Sequence, residues 1–159
     1  MLALQRGLYG QQLDGADEIR KRSLTACPTS ARWEAVGGRA TSLDADVWEV
    51  SHHGSANGTN QAILDAITPQ IATLGTGDPA RTTGGAFTAF AFGHPREDAV
   101  DLILGSLTAK RPDIHVLAAT GQKAFESIDV NEALYATGWD GTVVITGRGD
   151  GTYSVQTER

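Results

Sequence analysis

Short apolar strands alternate with amphipathic helices along most of the chain from residue 46 onward. The segment DVWEVS (46–51) alternates its side chains with a period of two, which predicts a strand with two unlike faces. A helical stripe follows in QAILDAI (61–67), with Thr59 or Asn60 as its cap. The segment QIATLGT (70–76) then predicts the next strand.

The strongest helix signal follows a glycine-rich loop at residues 75–93. Pro95 suits the first helical turn, and Glu97 and Asp98 suit its positive end. Apolar residues then recur at helical spacing, at Val100, Ile103, Leu104 and Leu107.

The last third of the chain predicts further strands. DIHVLAAT (113–120) is typical of a buried strand, whereas QKAFESIDVNEAL (122–134) is ambiguous. Three short strand-like runs occupy residues 134–157, and Asp150-Gly151 predicts a hairpin between the last two. Alternating strands and helices predict an α/β fold.

Residues 1–44 carry weak signals and form a weakly defined N-terminal segment, so the folded unit is expected at residues 45–159. Cys27 is the only cysteine, which excludes an internal disulfide and fits a reducing, cytoplasmic environment. The opening residues show neither a secretory signal nor a membrane span, and we expect a soluble chain without a membrane segment.

The formal net charge of −6 argues against a broad nucleic-acid-binding surface. It permits a small phosphodiester-cleaving pocket, because bound divalent metals reverse the local charge. A serine hydrolase is disfavoured because the chain has no Gly-x-Ser-x-Gly motif. A nucleotide-binding loop is disfavoured because GRGDGT (147–152) precedes a strand rather than a helix.

Two adjacent histidines, His52 and His53, stand directly after the first predicted strand. A strand fixes the backbone while the loop behind it opens toward a substrate, and neutral imidazole is a good ligand for Zn²⁺ or Mn²⁺. The pair therefore indicates metal chemistry at this strand end.

The order of motifs around these histidines resembles the C-terminal half of metallo-β-lactamase-fold hydrolases, most of all the hydrolase domain of ComEC-like DNA-uptake proteins. The resemblance depends on SHHGS (51–55), the following helix and strand, GHP (93–95) with its helix, and the closing strands of the tail. It covers about residues 44–157 in a consistent order. It implies an αββα-type fold, with a mixed sheet flanked by helices.

The resemblance also implies roles for single residues. His53, with His52 as its neighbour and alternative, would be a metal ligand. His94 and Ser55 would bind the substrate in the same cleft or support a metal ligand, and Ser55 would also shape the turn that presents the imidazole. The implied reaction is hydrolysis of a phosphodiester, with DNA as substrate, by water activated at Zn²⁺ or Mn²⁺.

The chain departs from the family at its principal metal motif. No histidine precedes His52, so the N-terminal His-x-His-x-Asp-His cluster is absent, and Arg96 stands where a second histidine often follows Gly-His-Pro. Zinc sites need three or four protein ligands. The metal is therefore expected only if the missing ligands come from elsewhere.

Three explanations stay open: a piece of a longer hydrolase, a subunit completed by a partner chain or homo-oligomer, or a degenerate relative. We favour an incomplete hydrolase half, whose exposed sheet face would be covered by residues 1–44, a partner chain or a second copy. The alternative function is a non-catalytic binding or assembly module that retains this half of the fold.

The tryptophans, His115 and two aspartates are interpreted as structural residues. Trp33, Trp48 and Trp139 are predicted to pack in the core or against a sheet, because they fall on separate elements. His115 is predicted to be a satisfied histidine of a half-buried strand. The Asp-Gly turns that follow Asp140 and Asp150 explain these two carboxylates.

Overall fold

The structure, a computed structural model, describes residues 23–25, 44–78 and 88–159. Most of the weakly defined segment 1–44, with Cys27 and Trp33, and the middle of the predicted glycine-rich loop lie outside these residues. The described part contains strands and helices in alternation, which confirms an α/β class at the coarse level.

Four short strands form the central sheet, and all of them run parallel in the order β1-β2-β3-β6. Their bounds are Ser23–Thr25 (β1), Val47–Glu49 (β2), Ile71–Leu74 (β3) and Leu134–Ala136 (β6). The chain returns from β2 to β3 through helix α1 (Gln61–Ile67), as a parallel pair requires.

Helix α1 spans Gln61–Ile67. The Asn60 side chain accepts a hydrogen bond from the backbone N–H of Ile63 at 3.0 Å, so Asn60 rather than Thr59 is the cap. Thr68 ends the helix in a left-handed conformation just before Pro69.

Helix α2 spans Glu97–Leu104 and confirms the strongest sequence signal. Its first turn is acidic, with Glu97 and Asp98, and its buried face includes Val100 and Ile103. Pro95 lies just before the Arg96 cap rather than inside the helix.

The main core fills the sheet face that is covered by both helices and by a β-ribbon described below. Trp48, completely buried, and Leu74 from the sheet pack with Ile67 of α1 and Ile103 of α2. Alternate residues of the same strands point to the opposite face, as the period of a strand demands. Trp48 thus confirms its predicted place in the core.

The opposite face of the sheet is covered by the C-terminal hairpin. Its strands are Val143–Gly147 (β7) and Tyr153–Thr157 (β8). Val143, Ile145, Tyr153 and Val155 of this hairpin pack against Ile71 and Tyr135 of the sheet. The C-terminal hairpin therefore covers this face around Ile71 and Tyr135.

A long ribbon of two antiparallel strands stands beside the sheet. Its strands are Lys110–Gly121 (β4) and Ala124–Glu132 (β5), which form a two-stranded sheet of their own. Ala119 of β4 also forms an isolated parallel bridge with Arg96. The predicted mixed sheet is therefore corrected to a parallel sheet with two separate hairpins. The two-residue turn at residues 122–123 explains the difference, because it folds β5 directly back along β4.

The ribbon corrects one further prediction. The segment predicted as a buried strand is buried only near its end, where Val116, Ala118 and Ala119 pack inward, and Leu117 is 47% exposed. His115 is exposed and its ring contacts the Asp129 carboxylate across the ribbon, so it is a histidine with a partner on a half-buried strand, as predicted. Inward and outward positions alternate because one ribbon face meets the core and the other meets solvent.

Asp140 is not a simple turn residue, because it forms a buried ion pair with Arg111. Their side chains are 3% and 5% exposed, and the closest atoms, Arg111 Nη2 and Asp140 Oδ1, lie 2.5 Å apart. Arg111 also donates to the Leu134 carbonyl at 2.7 Å, and Asp140 accepts from the Ala136 N–H at 2.9 Å. Side chains thus satisfy the β6 backbone groups that do not face β3.

Removing the Asp140 charge is expected to destabilise the fold strongly. Asp140→Asn should lower the free energy of unfolding by about 3–5 kcal/mol, because it leaves the Arg111 charge buried without its partner. Glu132→Gln is the matched control, since Lys110 and Glu132 form an ion pair at the surface, and it should cost at most about 1 kcal/mol. Urea unfolding of both variants measures the difference, and equal losses would contradict it.

Candidate functional site

The three histidines that the sequence singles out meet at the carboxyl ends of β2 and β3. The chain leaves β2 through the 3₁₀ turn Ser51–Gly54, and it leaves β3 through residues 75–78. Loops that follow neighbouring parallel strands lie at the same sheet edge, where α/β proteins bind ligands. A hollow of about 370 Å³ opens there, lined by His52, His53, Gly75, Thr76, Gly77, Thr88, Ala89, Phe92 and His94.

The turn that carries the histidine pair has an unusual backbone. His52 (φ 52°, ψ 40°) and His53 (φ 57°, ψ 28°) are both left-handed, although neither is glycine. Such a conformation costs roughly 1–2 kcal/mol per residue for an ordinary side chain. Backbone strain of this kind clusters at functional sites, so the outlier itself marks this turn as a candidate.

Hydrogen bonds around the turn offset this cost. The Ser55 N–H donates to the His52 carbonyl at 3.0 Å, and the Gly58 N–H donates to the Ser55 carbonyl at 2.9 Å. The buried Ser51 hydroxyl donates to the Gly58 carbonyl at 3.1 Å. The turn is therefore held from its inner side, while both imidazoles remain exposed.

Gly54 brings the third histidine to the site. Its carbonyl accepts from the Arg96 N–H at 2.9 Å, which ties the segment around His94 to the turn. A Cβ at Gly54 would lie 2.9 Å from the Pro95 Cβ and 3.0 Å from the Leu74 side chain, so only glycine fits. The Gly-Ser and Gly-His-Pro motifs thus lie on two segments that are in direct contact.

The hydrogen bonds of the paired histidines identify their free nitrogens. His53 Nδ1 contacts the Gly75 carbonyl, and His52 Nδ1 lies 2.9 Å from Asn57 Oδ1, which also accepts from the Ser55 hydroxyl. Because these oxygens can only accept, each Nδ1 carries the proton of the neutral ring. Nε2 of both rings therefore keeps the lone pair that a metal ion or a proton could use.

His94 differs from the paired histidines because it is partly buried, which disfavours the charged form of its ring. Its Nδ1 is buried and has no hydrogen-bond partner among the described residues. Burial lowers the pKa of His94, and the neighbouring His52, His53 and Arg96 lower it further. His94 is therefore neutral at neutral pH, and a neutral ring can either donate a hydrogen bond to a bound group or accept one.

Histidine side chains are suitable metal ligands, but too few of the described ones are placed to hold a metal ion here. Two imidazoles on one tetrahedral Zn²⁺ have ring centroids roughly 5 Å apart, given nitrogen–metal distances of about 2.1 Å. The centroid of His52 lies 5.6 Å from that of His94 and 6.4 Å from that of His53. Within the described residues, however, no group of three or more His, Cys, Asp or Glu side chains could hold a metal ion.

Ser55 lies beneath the turn rather than in the hollow. It is 7% exposed, and its hydroxyl donates to Asn57 Oδ1 at 2.6 Å. This position suits the turn-shaping role of Ser55 better than contact with a substrate. Sequence reasoning missed Asn57, which orients His52, and its place five residues after that histidine is the one signal for it.

Another wall of the hollow is formed by Gly75, Thr76 and Gly77. Sequence reasoning missed this wall, because a glycine-rich loop gives no sign of which carbonyl will face a distant side chain. Phe92 lies at the hollow with 58% of its surface exposed and was missed for a similar reason.

Comparisons with protein-family models, curated proteins and solved structures gave no match. Among the residues that the structure describes, no helix is long and apolar enough to cross a bilayer. The assignment of function therefore depends on the geometry of the site and on the motifs themselves.

The lowered pKa of His94 predicts a pH dependence of stability. Below its ordinary value of 6.5 the unfolded chain takes up a proton that folded His94 resists. This residue therefore destabilises the fold as pH falls below about 6.5, has no effect above that value, and adds no further loss below its folded pKa. An NMR titration of the metal-free chain reads the His94 ring directly. A midpoint at or above 6.5 would contradict the prediction.

Proposed function

We propose that this chain is the C-terminal half of an αββα-type metallo-β-lactamase-like hydrolase, similar to the hydrolase domain of ComEC-like proteins. In this proposal it contributes one wall of a metal-dependent site that hydrolyses a phosphodiester, with DNA as the substrate. The observation that carries the proposal is the convergence of His52, His53 and His94 on one hollow, beside a strained turn at the end of β2.

The residues of the chain have distinct roles in this site. His53 Nε2, with His52 Nε2 as its neighbour, would bind Zn²⁺ or Mn²⁺, and Ser55 would keep the turn in place. When bound, the metal would supply an activated water and a positive clamp for the phosphodiester oxygens. Neutral His94 would hydrogen-bond the substrate or a ligand of the metal from the other side of the hollow.

The charge around the hollow is compatible with a phosphodiester despite the acidic chain. No carboxylate is among the described residues that line it, and Arg96 is close enough to His94 to influence its pKa. An anionic substrate therefore meets little repulsion at the hollow itself. The net charge of −6 is carried elsewhere, and it disfavours broad binding of nucleic acid more than local binding of one phosphate.

The remaining metal ligands must come from outside the described histidines. A longer form of the chain, a partner chain or a second copy would supply them, since three or four protein ligands are the minimum for zinc. We favour an incomplete hydrolase half, which acts once another polypeptide segment completes the site.

A non-catalytic binding or assembly module is the second candidate. The absence of a metal-holding group of three side chains within the described part of the chain favours it. In this function the three imidazoles would contact a partner or a ligand directly. Metal binding and turnover distinguish the two candidates.

Removal of His53 tests the proposed site. We expect His53→Ala to weaken Zn²⁺ or Mn²⁺ binding at least about tenfold, because loss of a ligand costs no less than loss of a group that orients one. Calorimetry measures the affinity, and a chromogenic phosphodiester with added metal measures turnover.

His115→Ala is the matched control, because His115 is an exposed histidine that does not line the hollow. It should bind metal like the unmodified chain. Equal affinities in both variants, or no metal binding between pH 6 and 8, where about a quarter or more of an ordinary imidazole is unprotonated, would refute the hydrolase proposal and leave the binding module.

A further inference from the structure

The Gly75 carbonyl determines which nitrogen of His53 is available. His53 Nδ1 donates to this carbonyl, and a neutral ring with its proton on Nδ1 keeps the lone pair on Nε2. Gly75 itself provides no anchor, because it lies just beyond β3 and a Cβ at this position would have no atom within 4 Å. Something else must hold the carbonyl in place.

Two threonines hold the loop that contains this carbonyl. The backbone N–H groups of Thr76 and Gly77 both donate to Thr137 Oγ1, each at 3.0 Å. In return, the Gly138 N–H donates to Thr76 Oγ1 at 3.1 Å. We call this reciprocal arrangement of Thr76 and Thr137 the threonine latch.

The position of the latch follows from the pairing of β3 with β6. Leu74 lies opposite Ala136 at the ends of these parallel strands, so the residues that follow each strand leave the sheet side by side. Gly138 packs so closely that a Cβ there would overlap the Gly77 carbonyl and lie 2.6 Å from the Phe90 ring. Tight backbone packing thus sets the latch beside the hollow.

We propose that Thr137 is a positioning residue, which acts through the latch and the Gly75 carbonyl to hold His53 in its Nδ1–H tautomer. The Thr137 hydroxyl is the shared acceptor for the two backbone N–H groups that follow Gly75. Loss of this hydroxyl therefore frees the Gly75 carbonyl to move. Thr137 itself is exposed, and water can replace the lost hydrogen bonds without fixing the loop. This inference deepens the proposed function, because it explains why Nε2 of His53 is the nitrogen offered to a metal.

His52 provides an internal control for this inference. Its Nδ1 is held by Asn57, within the same turn, and not by the loop that contains Gly75. A change in the latch should therefore alter the tautomer of His53 and leave that of His52 unchanged. Asn57→Ala should have the opposite effect, altering His52 and sparing His53.

The experiment compares Thr137→Val with Thr137→Ser in the metal-free chain, with a chelator present. Valine keeps the shape of the side chain but removes the acceptor, whereas serine retains the hydroxyl. Nitrogen-15 NMR of the imidazole rings distinguishes the two tautomers. We expect the ratio of Nδ1–H to Nε2–H in His53 to fall at least about threefold in Thr137→Val, the weight of one modest hydrogen bond. The ratio should stay at its original value in Thr137→Ser.

Thr137→Ala serves the same purpose if Thr137→Val does not fold. An unchanged His53 tautomer in the folded variant, or an equal change in His52 and His53, would overturn the inference. Because the measurement needs no metal, its outcome is independent of the proposed function. A chain that passes this test but binds no metal would refute the hydrolase proposal and leave the role of Thr137 intact.

Discussion

The left-handed backbone at His52 and His53 is the constraint on which the site depends. Two consecutive residues adopt an unfavourable backbone conformation because the chain must turn sharply at the end of β2. The cost is met by hydrogen bonds inside the turn and by Gly54, whose contact with Pro95 joins the turn to the segment of His94. Without this turn, the rings would not share a hollow.

The parallel sheet supplies the rigid support for that turn. Trp48 and its neighbours fix β2 in the core, β3 pairs with β6, and the loop after β3 forms another wall of the hollow. The buried pair of Arg111 and Asp140 closes the outer side of β6. A segment that completes the site would therefore add to a half whose two sheet faces are already largely packed near β3 and β6.

The sequence predicted the elements that have a strong local pattern. Helices α1 and α2, strands β2 and β3 and the C-terminal hairpin follow from periodicity and turn residues, and the histidine motifs pointed to segments that do meet in space. The ribbon was harder, because the consecutive apolar residues at 116–119 predict a buried strand, although Leu117 is 47% exposed. Asp140 was misjudged for a different reason: its partner, Arg111, is 29 residues away, and no local pattern reveals a long-range ion pair.

The convergence of the histidine rings is the central claim, and proton NMR of the metal-free chain tests it most directly. The structure places the centroids of His52 and His94 5.6 Å apart, whereas His115 lies on the ribbon outside the hollow. We expect through-space cross-peaks between the ring protons of His52 and His94, and none from either ring to His115. Absence of a His52–His94 cross-peak in the folded protein would contradict the account.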